Sequence, residues 1–101
     1  MLKNVVRIPR TNNVFLRDSI VGVTEAHATG GFHRLSITII GIGFEKEIQT
    51  DVISGDEINF YDEDYSHKRY KQVLADCPIW HAEVVKAIFG DEDGDRQLGC
   101  N

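Results

Sequence analysis

Apolar positions follow two different periods along this chain. Through residues 5–61 they recur every second residue in short runs, and through residues 62–90 they recur at helical spacing. Val5-Val6-Arg7-Ile8 reads as a short strand stopped by Pro9, and Pro9-Arg10-Thr11-Asn12-Asn13 is turn chemistry. Strand character resumes over Val14–Ala26, with Asp18-Ser19 marking a bend.

The best local signal is Gly30-Gly31 between two strand-like runs, which predicts a two-residue hairpin turn with Thr29 opposite Phe32. That register gathers Ile20, Gly22, Thr24, Ala26, Leu35, Ile37 and Ile39 on one face. Val21, Val23, Glu25, His27, Arg34, Ser36, Thr38 and Ile40 fall on the other. Past Ile39 the apolar phase moves to Ile40, Ile42 and Phe44, so a bulge at Gly41 or Gly43, or cover on both faces, is expected there. Residues 35–53 are read as two strands turning near Phe44-Glu45-Lys46, because one strand of that length is unusual.

Asp62-Glu63-Asp64 precedes the helical pattern, where acids complement the free amides of a first turn. Tyr70, Val73, Leu74 and Cys77 form a first apolar stripe. Pro78 is taken to end that helix and to open a second, which buries Trp80, Val84, Val85, Ile88 and Phe89 and stops at Gly90. The expected fold is therefore α+β: an antiparallel sheet of three to five strands (about residues 3–61) against two C-terminal helices (about 62–76 and 78–89). Residues 1–90 make a single domain, and residues 91–101 a flexible acidic tail.

Charge sharpens this picture. The net charge is −5, but residues 1–50 carry four acids against six bases, whereas residues 51–101 carry twelve against five. Direct nucleic-acid binding by the acidic half is disfavoured by repulsion from phosphates. No run is long and apolar enough to span a bilayer, and no signal-peptide core opens the chain. The two cysteines, Cys77 and Cys100, fit a reduced, cytoplasmic setting better than a disulfide framework.

Candidate chemistry is sparse, and no catalytic, cofactor or metal signature emerges. His27 and His33 flank the Gly-Gly turn but lack the further ligands that zinc needs. Asp91-Glu92-Asp93-Gly94-Asp95 departs from a calcium loop at the sixth position, which is Arg96. Cys77 gains some nucleophilic appeal if Pro78 starts a helix above it with His81 four residues on, yet its place on an apolar stripe favours an inert thiol. The leading expectation is a noncatalytic accessory protein acting by protein–protein contact, offering Asp56, Glu57, Asp62, Glu63 and Asp64 to a basic partner. The alternative is a small-molecule-binding domain, its pocket between sheet and helices lined by Phe44, Phe60, Tyr70 and Trp80. A homodimer is also expected, through the sheet's second face at Val21, Val23, Ile40 and Ile42, with Phe44 beside them.

Overall fold

Leu35, Ile37 and Ile39 alternate along the central strand of the molecule, and the fold is built over the face they define. The computed structural model describes residues 4–31, 34–52 and 58–90. Among them run β1 (Val5–Arg7), β2 (Val14–Leu16), β3 (Ile20–Val23), β4 (His27–Thr29), β5 (Arg34–Gly41), β6 (Phe44–Asp51) and one helix, α1 (Tyr65–Phe89). The class is α+β with antiparallel strands, as the periodicity predicts. The strands, however, form two sheets instead of one, and the two expected helices are a single helix.

In the main sheet β5 pairs with β6 over its whole length, from Arg34↔Asp51 to Gly41↔Phe44. Residues 34–51 are thus two strands, turning at Ile42-Gly43, where Gly43 takes φ 84°. The turn falls just before the expected one because glycine, not Glu45, accepts the left-handed backbone. On its other edge β5 pairs with β4 near its start and with β3 near its end. Residues 24–26 separate these two, so β3 and β4 are one interrupted strand.

Gly30 and Gly31 both adopt positive φ, but Thr29 faces Arg34, so the connection spans four residues and not two. A two-residue change leaves parity intact, and Leu35, Ile37 and Ile39 still point to the core. A one-residue slip across residues 24–26 sets Val23, not Gly22, beside Ile39 on the core face, and a bulge between Ile20 and Gly22 shifts β3 by one more.

Two elements lie side by side on that face. One is the β1–β2 hairpin, a separate two-stranded sheet redirected by a 3₁₀ turn at Arg17–Ser19, and it buries Val6 and Ile8. Phe15 of this hairpin stacks on Phe44 with ring centroids 5.9 Å apart. The other is α1, whose Val73, Cys77, Trp80, Val84 and Ile88 are buried in one stripe. Pro78 lies inside α1. An interior proline costs about 3 kcal/mol, but five buried side chains at about 1.5–3 kcal/mol each hold both halves on the same sheet. Burial wins, and the helix runs through.

The helix begins at Tyr65 instead of Asp62, with Asp64 at its N-cap position but making no side-chain capping hydrogen bond. Both carboxylates take the Lys68 ammonium instead, at 3.1 and 3.4 Å. Gly90 ends the helix as expected, at φ 75°.

Side chains also tie the hairpin to the helix. The Trp80 indole donates to the Pro9 carbonyl at 2.9 Å. The Arg10 guanidinium donates to both oxygens of the enclosed Asp76 carboxylate, at 2.7 and 3.2 Å, and reaches Glu83 at 3.1 Å. Arg17 donates to the Ala87 and Ile88 carbonyls, complementing the helix C-terminus. The opposite face of the main sheet carries Thr38, Glu45, Glu47, Gln49 and Asp51 and is largely polar.

Candidate contact surface and adjoining cleft

A helix turns 100° per residue, so a stripe through Val73, Cys77, Trp80, Val84 and Ile88 leaves another set facing away from the sheet. That outward set includes Leu74, Ala75, Pro78, Ile79, Ala82 and Phe89, with Lys71 and Lys86 among them. Leu74, Ile79 and Phe89 are 48, 46 and 52% exposed. Two separate helices would each have buried their own stripe, which is why Leu74 and Phe89 read as core. One continuous helix turns a single phase to the sheet and leaves both outside.

Beside Pro78 the helix borders a cleft of about 230 Å³ lined by Glu25, Ala26, Cys77, Pro78 and His81. Its far wall comes from Glu25 and Ala26, in the interruption between β3 and β4. Cys77 is buried, and its thiol pKa is pushed up by burial first and by the neighbouring Asp76 carboxylate second. No helix starts at Pro78, so the amide end that would have activated this thiol is missing. The thiol has no hydrogen-bond partner among the described residues. Proline also supplies no amide to the Leu74 carbonyl one turn earlier. The cleft thus combines apolar walls at Ala26 and Pro78 with a carboxylate at Glu25 and an imidazole at His81.

The residues singled out in the sequence are scattered. Asp62, Glu63 and Asp64 lie at the helix approach, two of them engaged by Lys68, while Asp56 and Glu57 fall outside the described residues. The four aromatics do not converge. Trp80 is fully buried, Phe44 stacks on Phe15, Tyr70 is exposed on the helix, and Phe60 is 68% exposed in edge contact with Tyr61 and Tyr65. The apolar set of the second sheet face is divided. Val23 and Phe44 turn toward the core, whereas Val21 and Ile42 are 60 and 71% exposed and Ile40 is partly buried. His27 is exposed at the start of β4, and His33 and residues 91–95 lie outside the described residues. Sequence reasoning missed Glu25 and the outward helix face, and the signal for the latter was the unbroken phase of the stripe across Pro78.

Among the described residues no three His, Cys, Asp or Glu side chains are grouped to hold a metal ion, and no helix is long and apolar enough to cross a membrane. Comparison with family models, with curated proteins and with solved structures finds no match.

Proposed function

We propose that this protein acts without catalysis, by contact with a basic partner protein, through the outward face of α1. The observation that supports this reading is the exposure of Leu74, Ile79 and Phe89, each about half exposed on α1 outside its buried stripe. Large apolar side chains exposed together on one element among polar residues are a feature of interaction sites. The net charge of −5 and the acids at Asp62, Glu63 and Asp64 favour a partner of opposite sign. Asp56 and Glu57 belong to the same proposal from the sequence alone.

Lysine-directed cross-linking in cells, read by mass spectrometry, tests it. Lys71 and Lys86 flank the outward face, and both should link to one recurrent basic protein. The doubly substituted Ile79→Asp/Phe89→Asp protein should lose those links while keeping its circular dichroism spectrum. Links that concentrate at Lys46 on the sheet, or that survive the double substitution, overturn the proposal. A homodimer through Val21, Ile40 and Ile42 draws on a smaller exposed set, and sedimentation of Ile42→Lys against the wild type measures it.

A further inference from the structure

We infer that the cleft between Glu25-Ala26 and α1 receives an arginine side chain of the partner. This inference rests on the contact reading, because Pro78 belongs both to the cleft and to the outward helix face. The lining has the order that an arginine needs. Ala26 and Pro78 give apolar walls for the aliphatic stem, which long basic side chains bury while their charged end reaches a polar group. Glu25 provides that group, an exposed carboxylate with no ion-pair partner among the described residues, and a guanidinium binds a carboxylate through two parallel hydrogen bonds. The flat imidazole of His81 provides a surface on which a guanidinium can stack. The enclosed Cys77 thiol, which lines the cleft with no partner among the described residues, accommodates the stem without demanding a donor or acceptor. An acidic or phosphorylated side chain would meet the Glu25 charge with repulsion instead. A lysine would satisfy the charge but neither the bidentate pairing nor the stacking.

The probe is N-acetyl-arginine amide, titrated into the intact protein and followed by amide chemical shifts, with the citrulline analogue as its neutral isostere. Saturable shifts should localise to Glu25, Ala26 and His81, and Glu25→Gln should weaken binding about tenfold, the loss of one charge-assisted pair at about 1.4 kcal/mol. The lysine analogue should bind more weakly than the arginine one. Equal binding of citrulline, shifts elsewhere, or indifference to Glu25→Gln overturns the inference. The two readings fail separately. If the arginine probe ignores the cleft while Ile79→Asp/Phe89→Asp still abolishes cross-links, only the arginine site falls. If the probe binds but no partner is linked at Lys71 or Lys86, the contact reading falls and the cleft stands as a guanidinium site.

Discussion

Gly41 shows how a single missing carbon can shape the sheet. It faces Phe44 across the β5–β6 turn, and the aromatic ring lies over it, so that an added Cβ would sit 1.9 Å from the ring. Covering a strand glycine with a cross-strand aromatic restores the packing that glycine lacks. Gly41→Ala should therefore displace the Phe44 ring, break its stack on Phe15 and lower stability by about 1–3 kcal/mol, measured by denaturant unfolding. Phe44→Leu in the same background should recover part of the loss, whereas full additivity of the two changes would mean that the ring is not the obstacle. Cys77 carries a second prediction at this scale. Its pKa is raised, so the folded state holds the thiol proton to higher pH than the unfolded chain does. The unfolded state then loses its proton first as pH rises past the ordinary thiol range, and this group's contribution to stability falls with pH there. Wild type should lose stability relative to Cys77→Ala over that alkaline interval, and Cys77 should react with a disulfide reagent at neutral pH far more slowly than a cysteine peptide.

At the scale of elements, the strands were legible and the helix count was not. Leu35, Ile37 and Ile39 stood out because alternation survives an error of two in the hairpin loop, whereas the single shift across residues 24–26 moved Val23 across the sheet. Pro78 misled because local chemistry ends a helix there, while the decision belongs to buried side chains on both sides of it. Those side chains tolerate the proline and do not need it. Pro78→Ala restores an amide for the Leu74 carbonyl and relieves the ring's clash with the preceding turn, at an exposed site. Stability should rise by about 1–3 kcal/mol, seen as a higher Tm with unchanged helix content. A lower Tm would mean that the proline's fixed backbone is what fits α1 to the sheet.

For the molecule as a whole, the decisive contacts join residues that no local pattern connects. Arg10 meets Asp76 and Glu83 across 66 and 73 positions of sequence, so the sequence showed three unrelated charges where the fold holds one cluster. The cluster locks the β1–β2 hairpin to the middle of α1, with Trp80 bonded to Pro9 beside it and Thr50 bonded to the Arg10 carbonyl from the sheet. Arg10 is held there at φ 69°, a backbone conformation costly for a residue with a side chain, and its pKa is raised chiefly by the hydrogen bond to Asp76. Removing the cation leaves the fully enclosed Asp76 carboxylate without its bidentate partner, a loss of about 3–5 kcal/mol for a broken buried pair. Arg10→Met should cost that much and should loosen the hairpin before the main sheet. Hydrogen exchange at the Ile8 amide, bonded to Asn13 within the hairpin, should accelerate strongly while the β5–β6 amides stay protected. Replacing the cluster together, as Arg10→Met/Asp76→Leu/Glu83→Gln, should recover much of the stability, because the buried charge is removed along with its partner. If Arg10→Met accelerates exchange equally in the hairpin and in β5–β6, hairpin and sheet unfold as one unit and the cluster is not a separate clamp. If the triple replacement is as unstable as Arg10→Met alone, the stability lies in the ion pairs themselves and not in closing the hairpin over the core.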